Sequence, residues 1–261
     1  MELTLAETFA GIGGWSEAAR MAGGIRPIWR SEIHPYKNKV YELRHPGVPN
    51  LGDIRNIHQA PYADIFTVSF PCTGISSAGK HQGFADKGSG LWFEAERIIG
   101  ESRPRYIVIE NGPILNKRGL DRILAALAGF GYDAEWTHLS GSQFGVQQRR
   151  KRLYLIANTN QVRCSSSINR GVLFRKLQAG GISKPVSVSP GWAERRDIPK
   201  PRTFGSAHDL PSLVHRLECV GDAIIPLIGM YILECIKLHH SETFKTTPTL
   251  CAEPPTPSTI F

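Results

Sequence analysis

The sequence predicts a doubly wound, mostly parallel α/β fold with a small irregular region, and three observations predict it. Short apolar runs alternate with amphipathic stretches through residues 1–158. A glycine-rich turn follows the first apolar run, and regular patterning lapses over 159–209 before it returns for one apolar helix. The 261 residues, 41% hydrophobic and 21% charged, suffice for one such core and exclude disordered and fibrous classes.

Taken in order, strands are expected at 3–9, 25–29, 65–70, 106–109, 133–139 and 153–157, most of them short runs rich in aliphatic and aromatic side chains. Helices are expected at 15–22, 36–44, 91–99 and 120–128, each between two strands, as β-α-β crossovers require. Over 159–209 the chain turns to Ser, Gly, Pro and Arg, with Gly180-Gly181 and Pro199-Lys-Pro201. Compact domains rarely hold a structureless loop of that length, so a small irregular subdomain is predicted. Order returns over 210–240, where Ile224, Ile228, Ile232 and Ile236 recur every four residues and mark a buried helix, too short an apolar stretch to span a bilayer. The tail 241–261, with Pro248, Pro254, Pro255 and Pro257, reads as extended or frayed.

Charge is unevenly placed. Lys and Arg number 31 against 23 Asp and Glu, a net +8, yet the stretch from Arg149 to Arg202 alone carries +11. An anionic partner is expected there. Five cysteines (Cys72, Cys164, Cys219, Cys235 and Cys251) form no C-x-x-C pair, which suits a reducing, intracellular compartment. The first residues carry Glu2 and Glu7 where a secretory signal has basic residues, so neither export nor a membrane is expected.

Phe9-Ala-Gly11-Ile-Gly13-Gly14 follows the first strand and opens a helix, the arrangement of a nucleotide-type site. Glu32 ends the second strand, where a carboxylate reaches the two hydroxyls of a ribose, and Asp53 adds a polar contact suited to an adenine amino group. A nicotinamide dinucleotide and S-adenosylmethionine both present these groups. No third glycine opens the helix, since Ser16 stands there, which serves a pyrophosphate less well. Glycines that merely turn the chain are the plainer alternative.

Pro71-Cys72 lies just past the 65–70 strand, at the sheet edge where doubly wound folds bind ligands, and makes Cys72 a candidate nucleophile. A glycine-hinged run through Gly79, Gly83, Gly88 and Gly90 follows it, able to close over a substrate. Glu110 tips the next strand at the same edge. Gln148, Arg150 and Arg152 lead into the last strand, and if Arg152 begins the extended run, period-two alternation puts them on one side. Alone, each has a plain reading: an inert buried thiol, a solvated strand end, a basic surface.

Together, Phe9 to Gly14, Glu32, Asp53, Pro71-Cys72 with Ser76, Glu110-Asn111, Gln148-x-Arg150-x-Arg152 and Gly221-Asp222-Ala223-Ile-Ile-Pro226 resemble, in order, the motifs of the C5-cytosine DNA methyltransferases of bacteria and phages. The resemblance implies a Rossmann-like S-adenosylmethionine-dependent methyltransferase fold. It implies a catalytic and cofactor-binding domain over 1–158, a short target-recognition region over 159–209, and a return to the catalytic domain over 210–240. It implies catalysis by Cys72, Glu110, Arg150 and Arg152, with S-adenosyl-L-methionine held by Phe9, Gly11, Ile12, Gly13, Gly14, Glu32, Ile33, Asp53, Ile54, Asp222 and Ala223. Ser76, Gln148, Arg163, Arg170, Arg175, Lys176, Arg195 and Arg196 are the candidate DNA contacts, and no metal is expected.

The partners so implied are double-stranded DNA and, in a restriction-modification setting, a companion restriction endonuclease; the expected form is a monomer acting on DNA in a bacterial or phage-infected cytoplasm. The sequence departs from the family pattern at Thr73 (usually Gln), Gly112 (usually Val), Gln147 (often Pro) and Asp222 (commonly Asn). Rival readings are cytosine methylation of tRNA, a DNA-binding homologue without turnover, and a nicotinamide oxidoreductase. The last leaves Cys72 and the arginines without a role.

Overall fold

The computed structural model describes residues 2–72, 84, 86–146, 148, 150–159 and 221–245. Six strands, β1 (Leu3–Thr8), β2 (Ile25–Ser31), β3 (Ile65–Val68), β4 (Tyr106–Asn111), β5 (Tyr132–Ser140) and β6 (Lys151–Thr159), form one sheet in the order β2-β1-β3-β4-β6-β5. Five α-helices are bounded within the described residues, α1 (Gly14–Ala22), α2 (Pro35–Arg44), α3 (Trp92–Ser102), α4 (Leu120–Gly129) and α5 (Pro226–Lys245), and residues 221–222 are helical as well. Pro27, which has no amide hydrogen to give a ladder, sits in the edge strand β2 beside an irregularity in its register with β1.

Strand side chains alternate between two cores, as a sheet covered on both faces demands. Leu5, Ile65, Val108 and Ile156 pack with Trp15, Ala18, Ile228 and Ile232 of α1 and α5. Ala6, Phe66, Ile107 and Leu155 pack with Trp92, Ile98, Ile123 and Leu127 of α3 and α4. Each fully buried aliphatic side chain is worth about 1.5–3 kcal/mol, so these faces fix the strand ends that carry the site. The four-residue repeat is borne out: Ile224, Ile228, Ile232 and Ile236 are all buried. Pro226 occupies the first turn of α5, where its missing N–H costs nothing, and the helix runs to Lys245, so 241–245 are helical and not extended as the sequence suggested.

β1 to β4 run parallel, and β6 runs antiparallel to both β4 and β5. The cause is local: no crossover helix separates β5 from β6, and without one the chain can only double back. The consequence is functional. Because β6 is reversed, its first residues lie at the carboxyl edge of the parallel strands, with Leu153 opposite Asn111 and Tyr154 opposite Glu110.

Candidate active site

β1 hands the chain outward to β2, and the chain returns on the other side to β3; the crevice at such a reversal of strand order is where open α/β sheets take ligands. A cavity of about 540 Å³ opens there, walled by Phe9, Gly11, Gly14, Glu32, Ile33, Asp53, Ile54, Asp222 and Ala223 together with Cys72, Glu110, Arg150 and Arg152. The candidate cofactor residues and the candidate reacting residues therefore share one space.

The glycine turn is shaped by backbone constraint. Phe9 and Gly13 both have positive φ, 54° and 88°, and Gly13 lies so close to Tyr41 and His45 that a Cβ would come within 2.9 Å of each ring. Only glycine meets both conditions at position 13. Gly13 and Ile12 do not line the cavity, whereas Gly11 and Gly14 do. A Cβ at Gly14 would fall 2.6 Å from Ile224 Cγ1, which shows how tightly the segment before α5 closes on α1.

The cofactor side offers polar and apolar groups suited to an adenosine. Ile33 is 64% exposed on the wall, an apolar surface with room for a flat ring. Glu32 accepts from the N–H of Gly11 and of His34, 2.8 Å each, one on each oxygen, so each oxygen keeps acceptor capacity for a hydroxyl. Asp53 caps a short 3-10 turn and pairs with Arg55, whose hydrogen bond holds its carboxyl below the usual range. These residues fit a nucleoside-bearing cofactor.

Glu7, which sequence reasoning passed over, is also on the wall. It is buried and accepts from Trp15 N, Ser16 N and Ser16 Oγ at the start of α1. Burial, opposed by these bonds, pushes its carboxyl up to about 7. An acidic residue inside the strand before a glycine turn was the available signal.

On the reacting side, Arg152 Nε lies 3.2 Å from Glu110 Oε1; the carboxylate side chain is 6% exposed and the guanidinium side chain 27%. Burial raises the Glu110 carboxyl above its ordinary range, and Arg152 and Arg150 draw it back. Burial likewise pushes the Cys72 thiol up, with Arg152 acting in the opposite direction. Nearby cationic charge thus favours the thiolate, but burial outweighs it. Arg150 is lowered by burial and by Arg152, and its Nη1 donates to the carbonyl of Ala223.

Asn111 fixes the approach to Cys72. Its Nδ2 donates to Phe70 O at 3.0 Å, and its Oδ1 accepts from Gly112 N at 2.7 Å. Gly112 leaves space beside the thiol, since a Cβ there would stand 3.9 Å from Cys72 Sγ. Asp222, the departure from the family pattern near the cofactor crevice, forms an ion pair with Lys37. Gln148 and Arg150 precede β6, which begins at Lys151, so strand alternation does not group them; Arg150 and Arg152 still meet at the cavity and Gln148 is not on its wall. Ser76, Arg163, Arg170, Arg175, Lys176, Arg195 and Arg196 lie outside the described residues, as do Thr73 and Gln147.

A family model described as C-5 cytosine-specific DNA methylase matches residues 3–187. Among curated proteins, the Type II methyltransferase M.BanI of Aneurinibacillus aneurinilyticus is 35% identical over 165 residues, which is 60% of this chain and 38% of that protein. M.NlaX of Neisseria lactamica is 35% identical over 161 residues, 59% of this chain and 51% of that protein. The chain spans about half or less of the length of these relatives. Among solved structures, the S. pombe Dnmt2 methyltransferase matches with a TM-score of 0.56 at 23% identity, over 67% of this chain and 55% of that one. A putative DNA modification methyltransferase encoded within an E. coli prophage matches with a TM-score of 0.53 at 20% identity, over 64% of this chain and 49% of that one. At these identities the likeness speaks for the fold.

Proposed function

Because the chain belongs to the C-5 cytosine-specific DNA methylase family, we propose that it transfers a methyl group from S-adenosyl-L-methionine to C5 of a cytosine in a specific double-stranded DNA sequence, through a covalent adduct with Cys72. The observation that carries this reading is the shared cavity: a thiol, a carboxyl paired with an arginine, and a second arginine open onto the same space as an adenosine-sized wall.

The chemistry needs these groups. Cytosine C5 is a weak nucleophile, and addition of the Cys72 thiolate to C6 makes it an enamine-like carbon. Glu110, with its carboxyl raised by burial, holds a proton to higher pH than an exposed acid and so donates to N3, which makes C6 electrophilic. Arg152 sets its charge against both Glu110 and the thiolate. Arg150, anchored on Ala223 O, is placed to hold the base carbonyl. When bound, the cofactor supplies the sulfonium methyl that C5 takes. Loss of the C5 proton to a base then lets Cys72 leave and regenerates the thiolate.

Glu32 would hold the ribose hydroxyls, Asp53 the adenine amino group, and Ile33 and Phe9 its ring. A base stacked in a duplex cannot reach Cys72, so the target cytosine must flip out. We assign base readout and phosphate contacts to 159–209 and its basic residues. The protein acts as a monomer in the cytoplasm, beside a restriction endonuclease where one is encoded; no described helix is long and apolar enough to cross a membrane.

The test is transfer of labelled methyl to mixed-sequence duplex DNA, with Cys72→Ser in parallel and bisulfite-type sequencing of the product. Label at C5 of cytosine in one short sequence, absent with the variant, is the expected result. DNA binding without label would overturn the catalytic reading in favour of a binder without turnover.

A further inference from the structure

The rim of the cavity is built from two segments far apart in the chain. Lys37, in the first turn of α2, places Nζ 2.6 Å from Oδ2 of Asp222. The lysine side chain is only 16% exposed and the aspartate side chain 65%, so the cation reaches from inside the rim toward an outer anion, and both residues line the cavity. From Ala223 to Ile225 the chain belongs to neither helix nor strand; the Ile225 carbonyl accepts from Ile228 N and Gly229 N of α5, and before it the segment is held through side chains. Two such contacts lie within it, and a third is made by Asp222, the helical residue just before it. Asp222 meets α2 through Lys37, the Ala223 carbonyl receives Arg150 Nη1, and Ile224 closes on Gly14 at the head of α1.

We propose that the Lys37–Asp222 ion pair is a strap across the mouth of the cofactor cavity, which holds 222–225 in place and thereby sets cofactor affinity and the seat of Arg150. Lys37 is then a positioning residue that acts through Asp222. The inference rests on the reading of this cavity as a sulfonium-cofactor site. The physical basis is the link between the two ends of the crevice: the strap pins the same short segment whose carbonyl anchors the arginine of the base side. Burial is the main cause of the raised Cys72 thiol and Glu110 carboxyl, and the anion at 222, against which Lys37 is set, adds a small push in the same direction.

The test uses the full chain with Lys37→Met, Asp222→Asn, the double variant and the charge-swapped Lys37→Asp/Asp222→Lys. Two readouts are taken: amide hydrogen exchange of the free protein at Ile228 and Gly229, whose N–H groups donate to the Ile225 carbonyl of the strapped segment, and calorimetric binding of S-adenosyl-L-methionine. For a partly exposed pair, each single variant is expected to speed exchange and weaken binding about two- to fivefold. The double variant is expected to be no worse than the worse single, and the swap to recover to within about twofold of the native chain. Unchanged exchange in both single variants, or losses that multiply in the double, would overturn the strap. Faster exchange in both single variants, recovered in the swap, beside a native chain with no affinity for S-adenosyl-L-methionine supports a strap over 222–225 and overturns its role in cofactor affinity together with the functional reading.

Discussion

Asn111→Ala removes the clamp behind the nucleophile, and its cost follows from what it orphans. Phe70 O loses a 3.0 Å donor and Gly112 N loses a 2.7 Å acceptor. Asn111 is 3% exposed, so water cannot readily replace it. A buried backbone group left without a partner costs about 1–3 kcal/mol, and the half-buried Gly112 falls at the low end, which gives about 2–4 kcal/mol together. For a chain of this size that lowers Tm by about 5–12 °C. The effect on turnover is separable. Phe70 and Gly112 flank Cys72 and the space beside its sulfur, and a reacting atom displaced by about 1 Å loses about 100-fold in rate. At a temperature where the variant is fully folded, kcat for methyl transfer should fall about 100-fold while cofactor Kd changes less than about threefold. A folded Asn111→Ala protein with native kcat would refute the reasoning, because Cys72 would then need no clamp from β4.

Three further outcomes are expected. Arg152→Gln removes the charge that lowers the Cys72 thiol and the Glu110 carboxyl, so the pH profile of Cys72 alkylation moves to higher pH; an unmoved profile would show that Arg152 does not act on the thiol. Glu7 has a folded pKa of about 7 against 4.5 for its unpaired form, so its contribution to stability is full below about pH 4.5 and is lost as pH rises toward 7. That loss is on the order of 3 kcal/mol, and Glu7→Gln should flatten it in melting curves taken between pH 5 and 8; an equal slope in both proteins contradicts the assignment. Cys72→Ser should abolish transfer and leave cofactor binding within about twofold, since Cys72 makes no contact required by the adenosine wall.

Much of this architecture was legible because it depends on local pattern. Apolar runs such as Ile107 and Ile109 with Tyr106 and Val108 must be strands buried on both faces, and the structure places them in the two separate cores. The reversal of β6 was legible only as a missing helix between two strands, and it is the feature that brings Arg152 to Glu110. What could not be read are contacts between positions distant in sequence. Nothing near Lys37 announces Asp222, and nothing near Arg150 announces the Ala223 carbonyl. Glycine spacing also overstates the cofactor wall: Gly13 is required by its left-handed backbone and by Tyr41 and His45 packed behind it, while Gly11 and Gly14 face the cavity. Gln148 and Arg150 both precede β6, yet Arg150 reaches the cavity wall and Gln148 does not, a difference that strand alternation cannot supply.

The central claim is covalent attack by Cys72 on a flipped cytosine, and it is tested most directly by trapping. Duplex DNA containing 5-fluorocytosine is incubated with the protein and S-adenosyl-L-methionine, and the product is digested and examined by mass spectrometry. Fluorine at C5 cannot leave as the proton does, so the adduct should accumulate on the peptide carrying Cys72, with one methyl group on the trapped base. A methylated product with no adduct, or an adduct on any other residue, would contradict the account.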